Sequence, residues 1–256
     1  MLVEKRSQRI RLLRIVLLTF CFGNGSRLLM AQQNLFNVPS SEITIKGKGF
    51  FQQQINFEKS GIQSNTTFDF GLGRNWELGL NCLNAVWNPQ TARIESNLNL
   101  NLGSLGPVFM INCQKGFQVS ENMAIGIGVQ GGGHFASLGS TFRKSALAYV
   151  NSNSSFFNEK LKLIGGFYSG NKEYFGRKTS YGLMAGFEFK LANRLNLMAD
   201  FMTGENSLSG GVAGFVFYCK DWLPLSFGWQ MPLPESLNQK AFVFELTIIP
   251  HKEHHK

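Results

Sequence analysis

Residues 68–81 read F-D-F-G-L-G-R-N-W-E-L-G-L-N, apolar at every second position on either side of the polar pair Arg74 and Asn75. Period two is the side-chain period of a β-strand, so this stretch predicts an antiparallel hairpin with one apolar and one polar face. The device recurs, with short polar turns at 120–122, 158–160, 192–194 and 220–221. Longer, more polar connections at 88–95, 132–142, 171–180, 204–207 and 232–237 lie between them. Together these predict strands at 47–57, 62–72, 76–86, 97–118 (a long run that Gly106 and Pro107 could break), 122–131, 143–155, 161–170, 181–191, 195–203, 209–219, 222–231 and 239–249, twelve in all. Short turns at one end and longer loops at the other describe an up-and-down meander whose ends face different surroundings, as in a transmembrane barrel.

The two faces decide what the meander meets. One parity carries Phe68, Phe70 and Leu72, then Trp76, Leu78 and Leu80, then Ile125, Ile127 and Val129, then Leu183, Phe187 and Phe189, then Phe242, Phe244 and Leu246. The other carries polar or small residues such as Asp69, Glu77, Asn81, Gly126, Gly128, Gly186, Asp200, Ser226 and Glu245. A soluble sandwich also alternates, but its solvent face is richer in Lys, Glu and Thr than in Gly. Small residues suit the crowded concave interior of a barrel, and large apolar ones its convex lipid face. The predicted fold class is therefore all-β, a transmembrane antiparallel up-and-down barrel of twelve strands over residues 47–249. An even count puts both chain ends on the short-turn side. Trp76 and Trp222 each follow a short turn, whereas Trp87 and Trp229 lie near the far ends of the same two strands. These four rings are expected to mark the two membrane interfaces.

Composition agrees with strands that cross a membrane. The 256 residues contain no Pro/Ser-rich linker, only 16% are charged, and the 28 glycines and 24 phenylalanines are high counts. Mean hydropathy is −0.07, because alternation disperses the apolar residues. No stretch approaches the roughly 20 apolar residues of a transmembrane helix. Residues 1–31 read as a secretory signal: Lys5, Arg6, Arg9, Arg11 and Arg14 precede an apolar run at 15–22, and Ala31 offers a cleavage point. Removing it takes away six basic residues and one acidic one, so the net charge falls from +9 to +4. The basicity belongs largely to the signal, and nucleic-acid binding loses its compositional support. Residues 32–46 lack alternation and are expected either in the periplasm or folded into the lumen as a plug.

The motifs that suggest chemistry are weak. G-I-G-V-Q-G at 126–131 matches the dinucleotide fingerprint, but a loop follows it where that site needs a helix, so no cofactor is expected. His134 and Ser137 fall three apart in a loop with no acidic orienter, which argues against a hydrolytic triad. Cys82, Cys113 and Cys219 sit singly in strands and read as small apolar residues. The polar tail at 250–256, with His251, Glu253, His254 and His255, reads as a solvated end and not a metal site.

This pattern resembles the Gram-negative outer-membrane β-barrels, in the mid-sized class that includes twelve-stranded solute channels and the outer-membrane phospholipase. The likeness covers the signal and residues 47–249, is one of pattern without a family motif, and departs at the end, where I-I-P and the His-rich tail replace the usual terminal aromatic residue. It implies an outer-membrane location with both termini periplasmic, contact with lipid and lipopolysaccharide, and passage of a small hydrophilic solute. A non-conducting partner in an envelope complex is the alternative, and a lipid-active enzyme the third reading. By parity the lumen-lining candidates are Lys48, Lys162 and Lys190 against Asp69, Glu77, Glu188, Asp200 and Glu245, a net of −2 that favours cations. Asp200, placed opposite Gly186, is the expected selectivity carboxylate. Arg93, Arg143, Lys144, Lys172, Arg177 and Lys178 cluster on the longer loops, where lipopolysaccharide phosphates are the expected partner.

Overall fold

The computed structural model describes residues 34–134 and 142–250. The expected signal and the histidine-bearing tail lie outside these residues. The strands are β1 (Gly49–Glu58), β2 (Ile62–Gly73), β3 (Trp76–Asn88), β4 (Arg93–Glu95), β5 (Val108–Ser120), β6 (Met123–His134), β7 (Arg143–Phe156), β8 (Leu161–Gly170), β9 (Tyr181–Ala192), β10 (Leu195–Met202), β11 (Gly210–Lys220), β12 (Leu223–Pro232) and β13 (Ala241–Ile248). All neighbours pair antiparallel, and β1 closes on β13 from Phe51 opposite Ile248 to Glu58 opposite Ala241. Twelve strands complete the barrel, because β4 touches only the end of β3.

Local chemistry sets the turns and the register. Arg74 and Asn75 have φ of 52° and 59°, the paired left-handed geometry of a two-residue hairpin whose twist matches its strands. In the β9–β10 hairpin Asp200 stands opposite Gly186 and Asn196 opposite Lys190, the register that alternation requires. One expected strand is corrected. The run 97–118 begins as strand only at Val108, because Gly106 and Pro107 break it and residues 97–106 fold back as a loop in which Asn97 and Gly106 pair through their backbones. A short helix, α1 (Lys172–Phe175), lies in the connection before β9, capped by Asn171.

The convex face is greasy: Leu78, Leu80, Phe109, Ile127, Val129 and Trp229 are all exposed. The concave face is not uniformly polar, as alternation suggested. On β1–β3 and β5 it carries Gln52, Gln54, Asn56, Asp69, Asn81 and Asn112, but Met184, Met198, Met202, Val212 and Val216 face inward on β9–β11, and Val243 on β13 joins them beside Asn56. An apolar lumen wall needs an apolar partner, and residues 34–46 supply it.

Candidate functional site: a lumen divided by the N-terminal segment

Residues 34–46 run inside the barrel. The chain turns back at 35–38, where Leu35 N donates to Val38 O at 3.0 Å. Leu35, Phe36 and Val38 are buried to 0–3% exposure in one cluster with Met184, Met198, Val212, Val216 and Val243. Inward glycines make the bed for this segment. A Cβ on Gly186 would stand 2.2 Å from Leu35 Cδ1, one on Gly228 2.8 Å from Phe36, one on Gly126 2.9 Å from Ser41 Cα and one on Gly71 2.3 Å from Thr44 O. Other inward glycines admit rings: Gly128 lies under Tyr149 and Gly182 under Tyr168. The space beside these inward glycines is thus filled by side chains and backbone from elsewhere in the chain.

Charged wall residues hold the segment's backbone. Asp200 Oδ2 accepts from the backbone N–H groups of Asn37 at 2.5 Å and Val38 at 2.9 Å. Glu77 Oε2 accepts from Thr44 N at 2.8 Å and Thr44 Oγ1 at 2.9 Å. Lys162 Nζ reaches Glu42 Oε1 at 2.6 Å, and Asn153 donates to the same oxygen at 3.1 Å. Gln114 and Asn151 donate to the carbonyls of Ser40 and Pro39 at 2.9 Å and 2.6 Å. These contacts satisfy the backbone polar groups that an irregular segment carries into a buried site.

The segment separates two vestibules. The one toward the long loops has a volume of about 470 Å³ and is bordered by Asn34, Phe36, Asn37 and Pro39. The one toward the short turns has a volume of about 540 Å³ and is bordered by Ser41–Ile45. Asp69 and Glu77 line the first, and Lys162, Glu188 and Lys190 the second. Lys48, Asp200 and Glu245 line neither: Lys48 is half-buried just before β1, Glu245 accepts from Gln52 at 2.8 Å, and Asp200 faces the segment and not open water. Glu188 accepts from Asn196 at 2.6 Å and from Tyr218 at 2.9 Å. Asp69 accepts from Asn112 at 2.8 Å.

Loops cap half of the far end. Phe175 of α1 is fully buried against Tyr168 and Tyr174, Leu105 N donates to Glu173 O, and Arg143 approaches Glu173 at 3.6 Å. Burial in this cap pushes the Tyr174 phenol above its ordinary range. Arg177 reaches Asn101, and Lys178 approaches Glu205 at 3.8 Å, so the basic loop residues are in part tied to this cap. Trp76, Trp87 and Trp229 stand on the outside of the barrel and Trp222 is half-buried, with Lys115 Nζ 5.2 Å from the Trp76 ring and Lys220 Nζ 5.7 Å from that of Trp222.

Two placements differ from those the loop boundaries and strict alternation predict, at His134 and Asn84. His134 ends β6 instead of sitting in a loop; it is 1% exposed, with Nδ1 2.6 Å from Pro107 O. Residues 126–131 lie wholly within β6, where the strand over 122–131 is expected. Asn84, which strict alternation points outward, turns into the lumen because a bulge between β2 and β3 sets its φ at 57°. An Asn where alternation predicts an apolar side chain was the available signal for that bulge. Cys82, Cys113 and Cys219 are free thiols.

No family model matches the sequence and no curated protein does. Solved structures do. The chain is similar to the KdgM porin (6% identity, TM-score 0.52, over 79% of this chain and 99% of that one). It is similar to an outer membrane channel from Pseudomonas putida (10%, TM-score 0.45, over 81% and 96%). It also matches the outer membrane channel DcaP of Acinetobacter baumannii (11%, TM-score 0.34, over 88% and 69%). At such identities it is the fold that is shared, a closed antiparallel barrel like that of the KdgM porin.

Proposed function

We propose that the chain is a passive outer-membrane channel for small hydrophilic solutes, closed in the state described by its own N-terminal segment. The observation that carries this reading is the arrangement of the lumen: two vestibules separated by residues 34–46, a segment joined to the wall mainly through side chains and glycine beds, with a backbone bridge to the sheet at its end, between Lys46 and Gly71. Twelve strands about 4.8 Å apart, tilted by about 40°, put the backbone on a radius of roughly 12 Å. After side chains are added on both walls, that leaves room for about one extended segment, so its departure opens a path. The same fold serves a porin. In this reading the long loops face outward, both termini are periplasmic, and the basic loop residues meet lipopolysaccharide phosphates.

The packing of Leu35, Phe36 and Val38 favours a second reading, a permanently filled barrel that acts as a structural partner in the envelope. Bilayer recording of the mature chain and of a chain lacking residues 32–46 separates the two. A folded truncated barrel that conducts supports the channel, and one that does not overturns it. No catalytic role is assigned, since His134 meets a backbone carbonyl where a triad needs a hydroxyl and an acid.

A further inference from the structure

We infer that the long-loop vestibule binds an uncharged, polyhydroxylated solute of the oligosaccharide or polyol class, a deepening that rests on the channel reading above. The carrying feature is a row of carboxamides joined head to tail. Gln54 Nε2 donates to Asn56 Oδ1 at 3.0 Å, Asn56 Nδ2 to Gln63 Oε1 at 2.8 Å, and Gln63 Nε2 to Asn84 Oδ1 at 3.2 Å. Asn84 Nδ2 then donates to Ser104 Oγ and Leu105 O, both at 3.0 Å. The row climbs from the segment's turn, where Gln54 also donates to Asn37 Oδ1 at 3.4 Å, across β1, β2 and β3 to the loop rim. The bulge at Asn84 is what carries it past β3.

A carboxamide has two N–H donors and two lone pairs. The row uses one of each at Asn56 and Gln63, so each keeps one donor and one acceptor in a fixed orientation. A hydroxyl both donates and accepts, and adjacent hydroxyls match such spare pairs. Because the row already fixes these side chains, little rotamer freedom is lost on binding.

Charge narrows the class further. Among the described residues that line this vestibule there is no Lys, Arg or His, and its carboxylates are Glu58, Asp69, Glu77 and Glu95. Neutral donors meet each of them: Ser60, Asn112, Thr44 and Asn88. An acidic solute would find no counter-charge here, whereas a hydroxyl finds further acceptors. Tyr149 and Tyr174 add ring surface for the apolar faces of a sugar. The other vestibule differs, since Lys160, Lys162 and Lys190 line it alongside its carboxylates, and Lys162 pairs with Glu42.

Titration calorimetry on the detergent-solubilised mature chain tests the assignment, with maltotriose and raffinose as neutral probes, sialyllactose as the acidic one and trilysine as the cationic one. A neutral trisaccharide is expected to bind, sialyllactose to bind at least tenfold more weakly, and Asn56→Ala with Gln63→Ala to weaken the neutral probe at least tenfold. Gln118→Ala, at the opposite end, should leave affinity unchanged. Thermal unfolding of each variant checks that the barrel persists, and Gln63→Asn serves as a milder variant should the pair fail to fold. Failure of both neutral probes to bind, tighter binding of trilysine, or unchanged affinity in the variants overturns the inference. Binding to the closed barrel needs no conduction, so that failure is distinct from a truncated chain that does not conduct, which would overturn the channel reading itself.

Discussion

Leu35→Ala is the most direct probe of what holds the lumen shut. Leu35 is 0% exposed and nests against Gly186, with Met184, Met198 and Val212 in the same cluster. Truncating a buried leucine to alanine costs about 2–5 kcal/mol. The barrel strands keep their own ladders and lipid contacts, so most of this cost falls on the docked segment. At about 1.4 kcal/mol per factor of ten, the ratio of displaced to docked segment rises roughly 30- to 4,000-fold. Asp200→Asn acts on the same equilibrium by a different route. It removes the charge that receives Asn37 N and Val38 N, and hydrogen bonds to charged groups contribute about 1.5–3 kcal/mol each. The assay is open probability in planar bilayers, with heat-modifiable gel mobility as the check that the barrel is intact. Wild type is expected to be mostly closed, each variant to open more often, and the pair to approach the chain lacking residues 32–46. If the truncated chain conducts while both variants stay closed like wild type, the Leu35 cluster and the Asp200 carboxylate are not what keeps the segment docked and the reasoning fails.

Other consequences can be measured separately. Leu78→Arg on the lipid face should cost about 2–4 kcal/mol in urea-driven unfolding from vesicles, and Leu72→Arg near the turn much less; equal stability of Leu78→Arg and wild type would reverse the inside and outside of the barrel. A protease site inserted at 171–180 should be cut on intact cells and one at Asn193 should not, and the opposite pattern would invert the topology. In the chain lacking residues 32–46, Asp200 and Glu188 face an emptied lumen, so Asp200→Asn with Glu188→Gln should weaken or invert cation preference. An unchanged reversal potential in a salt gradient would remove these two residues from the conducting path.

Alternation makes the strands legible because a sheet with unlike faces must repeat every two residues, and the edges of eleven strands fall within a few residues of where the pattern puts them. The exception, 97–118, shows the limit: residues 97–106 are as mixed as a strand, but they fold back to pair Asn97 with Gly106. The filled lumen was legible only as one of two placements open to residues 32–46. Gly126, Gly186 and Gly228 look the same in sequence whether they widen a pore or receive a side chain. What distinguishes the cases is a contact between Asn37 and Asp200, 163 positions apart, and no local period reports it. The inward methionines and valines of β9–β11 carried the missing hint, since an apolar lumen wall has no reason to face water.

The path of residues 34–46 also orders events in time. The segment precedes every strand in the chain, yet its holders come late: Gln114 in β5, Asn153 in β7, Lys162 in β8 and Asp200 in β10. It is made before any of its receptors, and it cannot settle until the wall has curled far enough to bring β3 and β10 to either side of it. Closure of β1 on β13 then traps it within the ring. A stretch made ahead of the whole barrel is thus among the last to find its place, and until then Leu35, Phe36 and Val38 stay uncovered, a stretch that a holding chaperone has reason to grip.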